Sequence, residues 1–314
     1  MSSPRVSVVM IFLDGERFMD EAVASVVAQT FTDWELVLVD DGSTDGSTAI
    51  AQRWAAADER IRYLDHDGHA NLGMSASRNR GIAEARGDLI TFLDCDDIWL
   101  PDHLAPQVAT LDADALLDAT YGAHRYWYSW SDDLDDVERD HQSRLGVEPD
   151  TVQEPGELLL TYRRDTGTLP AICSVLLRRA ALLRLGGFAV EFRGCFEDQV
   201  MLAKLGLHLR VHVSGDSTVL YRRHDASACA IAIERGTYHP MRPNVAEHRY
   251  LQWLDRYLVE QGEGDSETRV LVRRALADYR NPLSAPARRE LRRRAHLGLR
   301  WRRKRLQRAL GRAA

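Results

Sequence analysis

The chain has 314 residues, of which 45% are apolar and 28% charged. This composition is typical of a folded protein with about two domains and excludes a disordered chain. The longest apolar stretch, residues 6–13, is far shorter than the ~20 residues of a membrane-spanning helix. The amino terminus lacks the ordered regions of a secretory signal, so we expect none.

Cysteine usage and charge add two expectations. The four cysteines form no C-x-x-C pair, which favours reduced thiols in a cytoplasmic protein over a zinc site. The net charge of −6 is unevenly distributed, because residues 287–314 hold twelve Lys/Arg residues and one acid. An acidic body with a basic tail predicts different roles for the two parts.

The first hundred residues alternate between strand and helix patterns. Apolar runs predict strands, and 3.6-residue spacing predicts helices between them. Gly87 is expected to cap the third helix. Strand–helix alternation predicts a Rossmann-like α/β fold with a mostly parallel sheet flanked by helices. The predicted strands are 7–13, 35–40, 61–64 and 89–94, and the predicted helices are 16–29, 47–57 and 74–85.

The pattern is looser after Pro101. An aromatic stretch, 126–130, precedes an acidic one, 132–140, and together they predict a surface loop or strand pair with a solvated acidic face. Further along, the sequence predicts a strand at 171–178, a helix at 196–205 and helices over 242–280, followed by a proline-punctuated linker and the basic tail.

Acidic residues follow two of the predicted buried strands. Asp41 ends the second strand, and Asp94, Asp96 and Asp97 follow the fourth. The carboxyl ends of parallel strands form the ligand-binding edge of such sheets. Three carboxylates in four residues repel one another, and Mg²⁺ or Mn²⁺ shared with phosphates would relieve that repulsion. The alternative is a helix cap and an acidic surface turn.

Several other nucleotide and metal motifs are absent. No G-x-G-x-x-G follows the first strand, and the chain contains no G-x-x-x-x-G-K-[ST] and no H-E-x-x-H. A nucleotide would therefore be held by acids and a metal instead of a glycine-rich loop. Asp41 is placed to accept hydrogen bonds from a base edge or, alternatively, to cap the next helix.

Residues 6–97 resemble the nucleotide-binding half of the family 2 glycosyltransferases, which have the GT-A fold. A weaker match continues to about residue 235 through Gly186-Gly187-Phe188, Glu197-Asp198 and Tyr221-Arg222-Arg223-His224. The resemblance implies a GT-A domain at 4–235, with a nucleotide-sugar half at 4–100, an acceptor half at 101–235 and a helical extension at 236–314. The matching motifs of the first half are Ser7-Val8-Val9-Met10, Ala28-Gln29-Thr30-Phe31-Thr32-Asp33-Trp34-Glu35, Val39-Asp40-Asp41-Gly42-Ser43-Thr44-Asp45, Asn71-Leu72-Gly73, Ala76-Ser77-Arg78-Asn79-Arg80-Gly81, and Asp94-Cys95-Asp96-Asp97 followed by Trp99 and Pro101-Asp102.

The resemblance also implies roles for the acidic residues. Asp41 would contact the nucleotide base. Asp96, together with Asp94 or Asp97, would hold Mg²⁺ or Mn²⁺ on the donor diphosphate. Asp198 would be the general base of an inverting transfer, because a carboxylate within hydrogen-bond reach can take the acceptor's proton. Taken alone, Asp198 would equally cap the helix that follows it.

Basic residues of the matched motifs are expected at the diphosphate. His224 would lie near the diphosphate or the metal, and Arg223 beside it would bind the donor. Arg78 would contact the donor or, with Asn79, cap and pack its helix. The family pattern of Pro or Thr followed by Tyr-Asn is replaced by Ile-Phe-Leu-Asp at residues 11–14. The nucleotide therefore stays open among UDP, GDP and dTDP.

The basic tail carries an apolar stripe on a helical wheel, and arginines dominate the rest of its surface. One interpretation is a helix lying on anionic lipid at the inner face of the plasma membrane, which would suit a lipid-linked acceptor. The alternative is packing on the acidic body or on a second copy in a homodimer. Nothing else in the chain resembles a nucleic-acid module.

The sequence as a whole therefore predicts a metal-dependent, inverting nucleotide-sugar transferase that serves cell-envelope polysaccharide, glycolipid or secondary-metabolite synthesis. A nucleotidyltransferase is the first alternative, but it would need a basic, glycine-rich loop early in the chain. A nucleotide-sugar-binding protein that has lost turnover is the second, and only the altered loop at 11–14 favours it.

Overall fold

The structure is a computed structural model that describes residues 3–131, 134–164, 167–239 and 243–280, with backbone only at 134 and 280. The predicted proline-punctuated linker and the basic tail at 287–314 lie outside the described residues. All four cysteines are free in the structure.

The first hundred residues fold as the alternating pattern predicted. The four strands β1–β4 pair in parallel in the order β3-β2-β1-β4, with Val6 opposite both Trp34 and Leu89. The elements are β1 Val6–Phe12, α1 Met19–Val27, β2 Trp34–Asp40, α2 Ser47–Ala57, β3 Ile61–Asp65, α3 Met74–Glu84 and β4 Leu89–Phe92.

The second part of the chain extends this sheet with mixed strand directions. Its strands continue the order as β4-β9-β6-β10-β5, in which β6 and β10 are parallel and β9 is antiparallel to its neighbours. The elements are β5 Ile98–Trp99, α4 Leu104–Ala113, β6 Ala119–Trp127, α5 Leu134–Val137, β7 His141–Gln142, β8 Thr151–Gln153, α6 Glu157–Arg163, β9 Val175–Arg178, α7 Arg179–Arg184, α8 Glu197–His208, β10 Val211–Arg222, α9 Ala228–Glu234, α10 Val245–Glu260 and α11 Glu267–Arg280.

Both faces of the central strands are covered, which explains their continuous apolar sequences. Successive side chains of a strand point to opposite faces, so β1 contributes Met10 to one core cluster and Val9 to the other. The first cluster includes residues of α1 and α4, and the second includes residues of α3 and α8. Gly81 lets α3 approach closely, because a Cβ there would lie 2.4 Å from Val9 Cγ1.

The end of α3 differs from the prediction. The helix ends at Glu84 with extended backbone at Ala85, so Gly87 does not cap it. Instead, the Gly87 N–H donates to Ser7 Oγ at 2.8 Å, and a Cβ on Gly87 would lie 2.7 Å from the Ser7 nitrogen. Gly87 is therefore required for close packing beside β1.

The aromatic and acidic stretches after Pro101 lie largely between the paired strands β6 and β7, in which Tyr126 pairs with His141; a strand pair was one of the two predicted alternatives. Tyr126 and Trp127 end β6, and a single 3-10 turn follows at Ser129–Ser131. Asp140 points inward, where its carboxylate accepts from the Tyr128 N–H at 2.7 Å. This part of the acidic stretch is thus a structural anchor instead of a solvated face.

The described residues divide into two compact units, one up to residue 230 and one from residue 231. The domain bounds 4–235 and 236–314 stay a prediction. No helix among the described residues is long and apolar enough to span a bilayer. Every site residue discussed below belongs to the first unit.

Candidate active site

The predicted acidic residues lie beyond the carboxyl ends of β2 and β4. These strands flank β1, and Phe12 pairs with Asp40 at this edge. In open α/β sheets, ligands bind outside such strand ends. Asp41 and the segment 94–97 are therefore placed at the expected edge, and each carboxylate has its own set of partners there.

Asp41 holds a neighbouring loop in place. Its carboxylate is 3% exposed, and Oδ1 accepts from the Leu72 N–H at 2.8 Å and the Ser77 hydroxyl at 2.9 Å. The Gly73 N–H donates to both oxygens at 3.0 Å. Gly73 has a φ of +90°, which glycine adopts at little cost. Asp41 thereby fixes the start of α3, and its predicted contact with a base stays a prediction.

Hydrogen bonds, and not apolar packing, hold the loop at 11–14 in place. The Asp14 N–H donates to Ser43 Oγ at 3.1 Å, and Asp14 Oδ1 accepts from the Thr44 N–H at 2.7 Å. Asp14 has a φ of +50°, a conformation that Asp tolerates better than most residues. Leu13 next to it is 45% exposed. The loop therefore offers one exposed apolar side chain beside a rigid turn.

A buried arginine joins two parts of the site that are far apart in sequence. Arg78, whose side chain is 3% exposed, donates to Asp94 Oδ1 at 2.6 Å and pairs through its other terminal nitrogen with Glu197 Oε1. Glu197 is also buried, and its Oε2 has no hydrogen-bond partner among the described residues. The sequence predicted a donor contact or a packing role for Arg78, and the structure shows two carboxylate partners.

Burial changes the protonation behaviour of this group. Desolvation raises the pKa of Glu197 to about 7, against the opposing charge of Arg78. Desolvation also raises the pKa of Asp94, with a further contribution from Asp96. An ionised carboxylate in such a position is stable only while Arg78 is paired with it.

Asp96 and His224 form the second pair of the site. His224 Nε2 lies 2.9 Å from Asp96 Oδ2, and the His224 side chain is 4% exposed. The ring packs on Phe18, with centroids 4.7 Å apart, and meets Trp130 edge-on at 6.4 Å. His224 Nδ1 is buried without a hydrogen-bond partner among the described residues. This pair brings together two residues that are 128 positions apart.

Asp97 faces the interior of the fold. It is 1% exposed, and its Oδ1 accepts from the Arg222 N–H at 2.9 Å while Oδ2 accepts from Cys173 Sγ at 3.1 Å. Burial, with the charges of Asp96 and Asp94, raises the pKa of Asp97 well above its ordinary value. Both oxygens are thus engaged inside the protein, and the cation site proposed below leaves Asp97 out.

Asp198 begins α8 beside Glu197. Its Oδ1 accepts from the Gln199 N–H at 2.7 Å, and burial raises its pKa. The backbone just before this pair of acids is unusual, because Phe196 has a φ of +76°. A bulky residue held in this region indicates local strain, which concentrates at functional sites. The turn directs Glu197 into the core and leaves Asp198 only half-buried.

The side chains of Arg222 and Arg223, at the end of β10, have different surroundings. Arg222 is buried and donates to the Asp96 carbonyl at 2.8 Å and to Glu21 Oε2 at 2.6 Å. Arg223 is half-buried, and its guanidinium lies 5.8 Å from the Tyr221 ring centroid. Together with His224 it lines a cavity of about 500 Å³. Arg222 therefore supports the site, while Arg223 is accessible from it.

The residues present fit a cation that is shared with a substrate. Among the described residues, no three His, Cys, Asp or Glu side chains surround a common point. The described residues therefore do not form a metal site from protein ligands alone. Mg²⁺ and Mn²⁺ bind one or two carboxylates together with phosphate oxygens and water. Asp96 and His224, with Asp94 close by, match that smaller donor set.

Comparison with known proteins gives the family. The model of the family described as "Glycosyl transferase family 2" matches residues 7–180, which is more than half of the chain. The chain belongs to glycosyl transferase family 2. This confirms the resemblance predicted from the motifs of the first half.

Curated relatives of this family 2 chain match about a third of it. A putative glycosyltransferase, EpsE of Bacillus subtilis, is 39% identical over 112 residues, or 35% of the chain and 40% of the relative. A putative teichuronic acid biosynthesis glycosyltransferase, TuaG of the same organism, is 37% identical over 107 residues, 33% of the chain and 41% of the relative. The chain thus spans about two fifths of the length of these relatives.

Solved structures support the fold over a greater length. TarS of S. aureus in complex with UDP-GlcNAc has a TM-score of 0.61 at 18% identity, over 90% of this chain and 73% of that one. A mannosyltransferase of Pyrobaculum calidifontis in complex with GDP-Man and Mn²⁺ has a TM-score of 0.55 at 19% identity, over 95% and 81%. These likenesses confirm the predicted GT-A fold of this family 2 chain.

Sequence reasoning missed three partners in the site. Glu197, Arg222 and Cys173 were not predicted to contact Arg78, Asp96 or Asp97. One signal for Glu197 was available: the helix that begins at this residue is apolar on most of its surface, so one of its two first acids is expected to be buried and to need a cationic partner. For Cys173 the sequence offers no signal, because its thiol meets Asp97 across 76 positions.

Proposed function

We propose that this protein is an inverting glycosyltransferase that moves a sugar from a nucleoside diphosphate to an acceptor hydroxyl, with a divalent cation bound at Asp96 and His224. The observation that carries the proposal is the pairing of Asp96 with His224 at 2.9 Å, beside the Asp94–Arg78–Glu197 chain that leads to Asp198. These contacts support a cation role for Asp96 and His224 and a base role for Asp198.

The roles of the residues follow from their surroundings. Asp96 and His224 would hold Mg²⁺ or Mn²⁺, which when bound neutralises charge on the departing diphosphate. Arg223 would bind diphosphate oxygens, since a guanidinium pairs well with phosphate. Arg78 is a positioning residue, because both terminal nitrogens of its guanidinium are paired with the carboxylates of Asp94 and Glu197.

Asp198 is the proposed general base. Its carboxylate would accept the proton of the acceptor hydroxyl while that oxygen bonds to the anomeric carbon and the bond to the diphosphate oxygen breaks. Burial raises its pKa, which makes the carboxylate a stronger proton acceptor at neutral pH. A single displacement with one base gives inversion, and it needs no carboxylate nucleophile.

We propose UDP-, GDP- and dTDP-sugars as the candidate donors. TarS in complex with UDP-GlcNAc and the mannosyltransferase in complex with GDP-Man and Mn²⁺ support a nucleotide sugar and a divalent cation. A melting-temperature panel of the three donor classes, each with and without Mn²⁺, identifies the donor, because a ligand that binds only the folded state raises the melting temperature. We also propose a cytoplasmic enzyme whose tail at 287–314 contacts anionic lipid or a second copy.

Metal-dependent hydrolysis of the selected donor tests the activity itself. Asp96→Asn should abolish the Mn²⁺-dependent hydrolysis that the wild type shows. Asp33→Asn is a matched control, because Asp33 is exposed and precedes β2 at the end of the sheet away from the site. Unchanged hydrolysis in Asp96→Asn would contradict the cation role. Proton NMR of the first sugar released checks inversion, since an α-linked donor should give the β anomer first.

A further inference from the structure

A cavity next to His224 has features that the proposed donor site does not use. It encloses about 500 Å³ and is lined by Arg17, Tyr128, Trp130, Asp136, Arg139, Arg223, His224 and Asp225. We name it the arginine cavity. Its volume is that of a small-molecule site. Tyr128 and Trp130 come from the segment after β6, in the half of the chain predicted to bind the acceptor.

The charges of the arginine cavity are only partly balanced. Arg139 is paired with Asp136 at 2.5 Å. Within the part of the chain that the structure describes, neither Arg17 nor Arg223 has a carboxylate within 4.0 Å. Asp225 is exposed and offsets one of these two charges at most. The described residues that line the cavity therefore carry more guanidinium groups than carboxylates. A cation bound at Asp96 would add further positive charge.

Aromatic rings keep the unpaired guanidinium groups in position. The Arg17 guanidinium lies 5.1 Å from the Trp130 centroid and 4.8 Å from Phe18, and Arg223 lies 6.0 Å from Tyr126. Arg223 also makes a side-chain hydrogen bond with Tyr128, whereas the cation–π contacts of Arg17 restrain its side chain and leave its N–H donors available. A guanidinium with free donors recognises carboxylate and phosphate groups through two parallel hydrogen bonds.

We infer that the arginine cavity is the acceptor site and that the acceptor carries an anionic group, a phosphate or a carboxylate, beside the hydroxyl that receives the sugar. The inference rests on the proposed function, because His224 lines the cavity and would also hold the cation on the donor. The half predicted to bind the donor nucleotide is 4–100, whereas every lining residue of the cavity except Arg17 lies in the half predicted to bind the acceptor. An anionic group bound at Arg17 would hold the acceptor beside the donor diphosphate, which Arg223 would bind.

The test measures the binding of three probes of similar size: glucose 6-phosphate, glucuronate and glucose. Each probe is titrated against the full chain by ligand-detected NMR in Mn²⁺-free buffer. One titration is made without UDP and one with saturating UDP and Mg²⁺. We expect at least one anionic probe to bind ten times more tightly than glucose. Tighter glucose 6-phosphate identifies a phosphate, and tighter glucuronate identifies a carboxylate.

Variants assign that binding to the cavity. Arg17→Ala should weaken the favoured anionic probe about ten times more than it weakens UDP, and Arg17→Lys should restore part of the loss. Arg80→Ala is the matched control, since Arg80 is an exposed arginine of α3 that does not line the cavity. Its probe affinities should equal those of the wild type.

Three results would overturn the inference: equal affinity for all three probes, no binding of either anion, or a loss of UDP affinity in Arg17→Ala as large as the loss for the probe. The last result would assign the cavity to the donor. Failure of the proposed function has a different signature, because UDP and nucleotide sugars would then not bind to the wild type, while the anionic probes can still be titrated without UDP.

Discussion

Replacing Arg78 with methionine should destabilise the protein in a pH-dependent way. Arg78→Met retains much of the apolar stem and removes the charge that Glu197 and Asp94 share. The side chains of Arg78 and Glu197 are 3% and 5% exposed, and that of Asp94 is 29% exposed. Breaking a buried ion pair costs about 3–5 kcal/mol, because it leaves an uncompensated charge. Since Asp94 is partly solvated, we expect about 3 kcal/mol at pH 8.

The loss should be smaller in acid. Burial already raises the pKa of Glu197 to about 7 with Arg78 present, and removal of the guanidinium raises it further. Glu197 is therefore protonated in the variant at pH 5.5, and a neutral carboxyl needs no cationic partner. The same substitution should then cost about 1–2 kcal/mol, mainly from the lost hydrogen bonds.

Urea unfolding followed by circular dichroism at pH 5.5 and pH 8 measures both values. The matched control is Arg53→Met, because the Arg53 and Asp20 side chains are 60% and 51% exposed and exposed pairs contribute about 0–1 kcal/mol. Equal losses for the Arg78 and Arg53 variants, or an equal Arg78 loss at both pH values, would refute the reasoning.

Three further predictions concern the pH dependence of stability, the rate of sugar transfer and binding to anionic lipid. Because the pKa of Glu197 is raised from 4.5 to about 7 on folding, its protonated form stabilises the fold below pH 4.5, and this contribution is lost as the pH rises through 7. Relative to Glu197→Gln, the wild type should lose about 2 kcal/mol of unfolding free energy between pH 5 and pH 8, and parallel pH curves would contradict this. Asp198→Asn should reduce transfer by ~10² or more with donor affinity near that of the wild type; an equal loss of both would make Asp198 structural. Deletion of residues 287–314 should reduce co-sedimentation with anionic liposomes, and equal sedimentation of the two proteins would rule out lipid contact.

The sequence predicts the elements of the first half well for a physical reason. Strands buried on both faces have continuous apolar runs, so β1 and β2 are visible without any tertiary information. The position of Asp41 and Asp94 after such strands then places them at one sheet edge. The order of the later strands is less predictable, because β9 pairs with both β4 and β6 through contacts that no local pattern specifies.

The orientation of each carboxylate depends on partners that are distant in the chain. Asp97 turns inward because the Arg222 N–H and the Cys173 thiol meet it there. Asp41 is satisfied by the Leu72 and Gly73 amides, which depends on the backbone conformation of Gly73. Local sequence therefore predicts which acids gather at the edge, and tertiary contacts decide which of them remain available to a ligand.

The hydrogen bonds of Arg222 have a consequence for how this scaffold can be modified. They tie the end of β10 to Glu21 on α1 and to the Asp96 carbonyl and Asp97 side chain after β4. The segment after β6 is joined to the same end of β10, because Trp130 Nε1 donates to the Arg223 carbonyl at 2.9 Å and the Arg222 guanidinium lies 5.4 Å from the Trp130 ring centroid. A segment grafted after Tyr128 from a homologous enzyme therefore has to retain Trp130 if the end of β10 is to keep its place beside Asp96 and Asp97.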